Sequence, residues 1–220
     1  MRRKYDKNIV VWMILVIAVV VAFWEISVNK KAEECKDVYL SFLENKLYKE
    51  EVRYPEEVRY QFVHIDKDNV PELLLTDGNL HVSRVYLYTY DAELKQVKFL
   101  DALSSFGKLG YVPKKNCIIS QYGNHGCYYT VYSEIENKGI KLNEVLLSDE
   151  RSQEGKYYAG FLENNTFTGD MGNASQEEDV LNFLPEEKEE YEVSKELFEQ
   201  LVEKWEAGKE TVRYVEMNKL

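Results

Sequence analysis

The chain has 220 residues, 45% of them hydrophobic and 30% charged, and its formal net charge is −11. That length suits one domain with a core of its own, and the acidic balance excludes nucleic acid as a partner, because phosphate binding needs clustered Lys and Arg. Three cysteines without a CxxC pair and three scattered histidines argue against a structural zinc site.

Arg2, Arg3, Lys4 and Lys7 precede an uncharged apolar run from Ile9 to Trp24. As a helix this run spans about 24 Å, somewhat short of a hydrocarbon core of roughly 30 Å. Ile26 and Val28 extend it past Glu25, so residues 9–28 read as one transmembrane helix. The cations keep residues 1–8 in the cytoplasm as a basic tail, which leaves 32–220 as an extracytoplasmic domain. The rival reading is a cleaved signal peptide and a secreted product, with Val20-Val21-Ala22 as the cleavage site. Bulky Phe23 and Trp24 follow that site and favour an uncleaved signal-anchor. Cys35 follows Glu33-Glu34 rather than small residues, which does not suit a lipoprotein.

From Ala32 to Lys49, Cys35, Val38, Tyr39, Phe42, Leu43 and Leu47 recur at helical spacing and share one face. The period then becomes two. Strands are expected at Val58–Val63, Leu73–Leu75, Val82–Tyr90, Leu94–Leu100, Cys117–Gln121, Tyr128–Glu134, Ile140–Leu147 and Lys156–Leu162. Turn residues separate them: Asp77-Gly78-Asn79, Asp91-Ala92-Glu93, Gly123-Asn124-His125-Gly126 and Asn137-Lys138-Gly139. The stretch holding Gly107 and Gly110 reads as loop, as does polar 163–185. Ser194 caps a helix from Lys195 to Ala207 that buries Leu197, Phe198, Leu201 and Trp205 and stops at Gly208. Thr211–Val215 is a closing strand. The expected fold is α+β: one antiparallel β-meander sheet with an N-terminal and a C-terminal amphipathic helix, preceded by the transmembrane helix.

The segment with chemistry is His64-Ile65-Asp66-Lys67-Asp68-Asn69-Val70-Pro71-Glu72-Leu73. Alternating acids let several oxygens converge on one hard cation, with a backbone carbonyl near the middle. Asp66, Asp68 and Glu72 fit as calcium ligands, and Val70 offers its carbonyl. Two positions depart from a calcium loop: His64 stands where the first acid belongs, and Asn69 where the glycine belongs. The plain alternative is an Asx-rich turn whose carboxylates accept backbone N–H groups.

This turn, with Pro71-Glu72-Leu73-Leu74-Leu75-Thr76-Asp77-Gly78 after it and the tyrosine-rich strand Val85–Asp91, resembles a group of uncharacterised extracytoplasmic proteins of clostridia-like Gram-positive bacteria. In these an amphipathic helix precedes a D-x-D-x-D-G-x-P-E-L turn. The resemblance covers Ala32 to Leu100 well and the later strands loosely. It implies a membrane- or lipid-anchored surface protein with no established activity.

Three further readings concern function. Tyr86, Tyr88 and Tyr90 alternate on one strand and Tyr128, Tyr129 and Tyr132 lie on another, so exposed rings would make a flat face for a glycan or a protein, while a covering helix would make them core. Cys117 and Cys127 flank a glycine turn, which permits a disulfide across a hairpin in an oxidising compartment. No catalytic set is read, since His64, His81 and His125 sit at turns without a nucleophile-elbow motif. The leading expectation is therefore a non-enzymatic, envelope-associated binding module. The alternatives are a cell-envelope hydrolase using Asp66, Asp68 and Glu72, and an accessory subunit of a membrane complex.

Overall fold

A computed structural model describes residues 7–124, 126–151, 155–160 and 191–217; within the first helix, side chains are described at 12, 15–20 and 33–44. The chain is α+β, with two antiparallel sheets rather than one meander. Helix α1 (Lys7–Glu44) is continuous through 38 residues. A 3₁₀ turn (Leu47–Glu50) leads to β1 (Arg59–Val63), β2 (Glu72–Thr76), β3 (Val85–Asp91) and β4 (Gln96–Leu103). Then come β5 (Leu109–Val112), β6 (Cys117–Asn124), β7 (Cys127–Glu136), β8 (Gly139–Asp149) and β9 (Lys156–Gly160). Strand β10 (Glu192–Val193), helix α2 (Lys195–Glu206), β11 (Glu210–Thr211) and β12 (Val215–Glu216) complete the described elements. The first sheet has the order β12-β1-β2-β3-β4 and the second the order β10-β9-β8-β7-β6-β5-β11.

Strand alternation sorts the core into layers. On the outer face of the first sheet, Leu73, Leu75, Tyr86, Tyr88 and Tyr90 meet Cys35, Tyr39 and Leu43 of α1. On its inner face, Leu74, Val85, Leu87 and Leu103 meet Leu109, Tyr111 and Ile118 of the second sheet. The opposite face of the second sheet, with Cys117, Ile119, Tyr132 and Leu146, takes Phe198, Leu201, Val202 and Trp205 of α2. The order is thus helix, sheet, sheet, helix, and β2, central in the first sheet, is buried along its whole length. A strand covered on both faces carries an unbroken apolar run, which is why Leu73-Leu74-Leu75 shows no alternation.

The chain changes sheets between β4 and β5. Ser104 and Phe106 both take left-handed backbone, with φ of 63° and 57°. Gly107 follows at φ 61°, and a Cβ there would lie 2.0 Å from the Gly78 carbonyl oxygen, so only glycine fits. Ser104 N–H donates to the Tyr122 hydroxyl at 2.8 Å, and Ser105 N–H to the Gln121 carbonyl at 2.8 Å. This link points the chain at β6 instead of back along β4, and so breaks the expected single meander. The segment read as loop contains β5.

Two other expectations are corrected. The tyrosines of β3 do not form an exposed face: Tyr86, Tyr88 and Tyr90 are 3%, 1% and 7% exposed because α1 covers them. Of the second group, Tyr129 and Tyr132 are buried and Tyr128 is exposed. The Cys117–Cys127 disulfide is excluded by register. Asn124 pairs with Cys127, so Cys117 lies seven positions along β6, roughly 24 Å away, against a limit of about 7 Å between Cα atoms. The two also lie on opposite faces of the sheet, Cys117 under α2 and Cys127 among Tyr122, Tyr129 and Tyr158. All three cysteines are buried thiols, and burial pushes Cys117 up to about 11. Alkylation of the denatured chain without reductant is expected to label three thiols by intact mass; a single label would restore an intramolecular bond.

The expected anchor lies only in part within the described side chains. Trp12, Leu15, Val16, Ile17, Val19 and Val20 are exposed along α1. Among the described residues no helix is long and apolar enough to cross a membrane. Residues 1–6 of the basic tail, His125, and residues 161–190, which include the polar stretch 163–185 and the acidic runs, lie outside the described residues.

Candidate functional site

Strand β1 ends at Val63, which pairs with Glu72 at the start of β2. The connection between them is short, and it must satisfy its own backbone N–H groups. Two Asx turns do so: Asp68 N–H donates to Asp66 Oδ1 at 2.8 Å, and Val70 N–H to Asp68 Oδ1 at 2.7 Å. Glu72 closes the turn by accepting from Ile65 N–H at 2.9 Å. Tyr39 of α1 donates to the Pro71 carbonyl at 3.0 Å, which ties the turn to the helix.

The result brings together the three acids singled out in the sequence. One carboxylate oxygen each from Asp66, Asp68 and Glu72 lie within 4.8 Å of one another, a cluster that can hold a metal ion. Glu72 is buried, Asp66 half-buried and Asp68 exposed, so the group opens to solvent on one side. Burial pushes Glu72 up to about 8, against the pull of the Ile65 N–H, and the charges of Asp66 and Asp68 add to the rise. Glu72 therefore carries a proton at neutral pH unless a cation replaces it.

The other positions fall elsewhere. Val70 has a buried side chain in the core beneath α1, and its N–H is given to Asp68. Asn69 does not take the left-handed conformation that a calcium loop places at its glycine. His64 is exposed, and its carbonyl accepts from Lys114 N–H at 3.0 Å. Asp77 is buried on other duties: it accepts from Arg84 N–H at 2.8 Å and from the Tyr86 hydroxyl at 2.9 Å. The turn thus has three carboxylates and departs from an EF-hand loop in backbone path.

Sequence reasoning missed Tyr39 as a partner of the turn and missed the polar cluster at the sheet-to-sheet link. There Thr76, Asp77, Ser83, Ser104 and Ser105 are buried together. Leu80, Val82 and Phe106 are exposed beside them, and the His81 ring meets Phe106 edge-on at 4.8 Å. The only sequence signal was Gly107 following Ser104-Ser105-Phe106. No protein family, curated protein or solved structure matches the chain.

Proposed function

We propose that the chain is a membrane-anchored extracytoplasmic module that binds a partner and takes a divalent cation, calcium by preference, in the turn between β1 and β2. The observation behind the cation is the convergence of Asp66, Asp68 and Glu72 oxygens within 4.8 Å. Carboxylate oxygens suit hard cations, and an open side leaves room for the waters and carbonyls that complete a calcium shell. A cation would also relieve the desolvation that holds Glu72 protonated. The anchor reading draws on the apolar run Ile9–Trp24, its flanking cations and the exposed apolar residues of α1. The partner, protein or glycan, does not bind through Tyr86, Tyr88 and Tyr90, which are core.

Calorimetry on the full chain in detergent tests the cation. Calcium is expected to bind with Kd about 10⁻⁴ to 10⁻³ M, the range of extracellular modules. Asp68→Ala should remove the heat while leaving a cooperative melt. Absence of heat from the wild type, with no calcium-dependent rise in Tm, would leave the turn a purely structural one.

An envelope hydrolase is the second reading, favoured by one observation: a glutamic acid held protonated near neutral pH is equipped to donate a proton. Hydrolysis of envelope polymer that disappears in Glu72→Gln would establish it in place of the binding reading.

A further inference from the structure

The direction of β3 relative to α1 bears on what the domain touches. Tyr86 meets the chain beyond the helix, accepting from Arg53 N–H at 2.9 Å. Two residues on, Tyr88 packs on Phe42 with ring centroids 5.2 Å apart. After the turn, Lys95 Nζ meets Glu34 Oε1 at 2.6 Å. Strand β3 therefore runs antiparallel to α1, and the β3–β4 hairpin tip points toward the apolar N-terminal half of the helix.

That tip is held in place. Lys95 fixes it to α1. Lys138, in the turn between β7 and β8, reaches Asp91 Oδ2 at 2.9 Å and Glu93 Oε2 at 3.3 Å, while Lys98 donates to the Lys138 carbonyl at 2.8 Å. Two hairpin tips from two sheets thus stand together beside Glu34. At their front is Leu94, which is 66% exposed and belongs to none of the core clusters.

Because α1 has no break between the apolar run and the core, the height of the tip above a bilayer follows from helix geometry. Residue 34 lies about 9 Å beyond residue 28 along the axis, and the turn past the last hairpin pair, Asp91 with Gln96, projects back toward residue 28 by roughly 3 Å, one residue's rise. The headgroup layer reaches roughly 5–8 Å beyond the hydrocarbon core. Resting on the anchor reading above, we propose that the β3–β4 tip, with Leu94 foremost, lies in the headgroup layer and gives the domain a second contact with the lipid surface. A lone exposed leucine is ordinary on a protein surface; this one sits at the membrane-ward end of a hairpin clamped to the membrane-ward helix. Of its charged neighbours, Lys95 is paired with Glu34, and Lys138 with both Asp91 and Glu93.

The test uses the full chain in phosphatidylcholine vesicles. An environment-sensitive fluorophore is attached in turn at Leu94→Cys, Leu15→Cys and Glu203→Cys; the native thiols are buried, so an exposed cysteine labels selectively. The label at 94 is expected to shift to the blue and to be quenched by lipid carrying a nitroxide on the headgroup. The label at 15 should be quenched by a nitroxide deep in the acyl chain, and the label at 203 by neither. Ala92→Cys gives the same readout from the same tip if a label at 94 disturbs the turn. Quenching at 15 but at neither 94 nor 92 would overturn the surface contact and leave the anchor standing. Absence of quenching at 15 would overturn the anchor, and the surface contact with it.

Discussion

Tyr88→Ala is expected to destabilise the domain by about 3–5 kcal/mol, the range for deleting a buried aromatic ring, while Tyr88→Phe leaves stability unchanged or slightly higher. The ring is 1% exposed between Phe42 of α1 and Phe99 of β4, with centroids 5.2 and 5.3 Å away. Its hydroxyl is buried without a hydrogen-bond partner among the described residues, and burial holds the phenol well above its ordinary range. Removing a buried hydroxyl that makes no bond costs nothing in hydrogen bonding and removes a desolvation penalty. Tyr86→Phe should behave differently. The Tyr86 hydroxyl donates to Asp77 Oδ2 and accepts from Arg53 N–H, so its loss is expected to cost about 1–3 kcal/mol by taking a buried partner from each. Denaturant melts of the three variants check the set. If Tyr88→Ala melted like the wild type, the ring would be a surface feature and α1 would not cover the sheet.

Raising the pH from 4.5 toward 8 is expected to weaken the calcium-free protein through Glu72. Its folded value is pushed from 4.5 up to about 8, so the native state keeps a proton that the unfolded chain has released. Native proton uptake exceeds that of the unfolded state across this interval, so stability falls as pH rises. The contribution is present below 4.5 and lost by the time pH passes about 8; it amounts to something on the order of 5 kcal/mol. Glu72→Gln, neutral at every pH and able to keep the Ile65 N–H bond, should flatten that part of the profile and melt higher than the wild type near pH 8. Calcium should restore the wild type most strongly at high pH, where the carboxylate no longer has to shed a proton first. The measurement is Tm against pH for both proteins, in chelator and in calcium. Parallel profiles for the two proteins would show that Glu72 ionises as an ordinary carboxylate.

Much of this was legible because it is local. The alternations in Val82–Tyr90 and Tyr128–Glu134 announce strands, which form at Val85–Asp91 and Cys127–Glu136, and the Asn137-Lys138-Gly139 turn lies where its residues predict. The Asp66–Glu72 convergence is local too, since a turn of that length cannot keep alternating acids far apart. Nonlocal facts were not legible. Alternation tells that Tyr86, Tyr88 and Tyr90 share a face, but whether the face is wet depends on α1, a long way back in sequence. Strands β6 and β7 pair as a hairpin, Asn124 opposite Cys127, where the glycine-rich stretch after Gln121 predicts a connection. Counting outward from it would have set Cys117 at the far end from Cys127, since residues face each other in a hairpin by equal distance from the turn. Strand β5 is four residues with a glycine inside it, too short for a period to show. The change of sheet rests on left-handed Ser104 and Phe106, residue types that do not advertise that conformation.

The two short strands that follow α2 are divided between the two sheets. Strand β11 joins the second sheet beside β5, and β12, four residues later, joins the first sheet beside β1. One stretch of a few residues therefore finishes an outer border on each sheet. During synthesis these residues leave the ribosome after the other described strands. Until they do, β1 and β5 each present a bare row of backbone donors and acceptors to whatever is nearby. Closure of the two borders thus comes after the strands they flank have formed, and the interval before it is when a chaperone, or another nascent chain, has access to both.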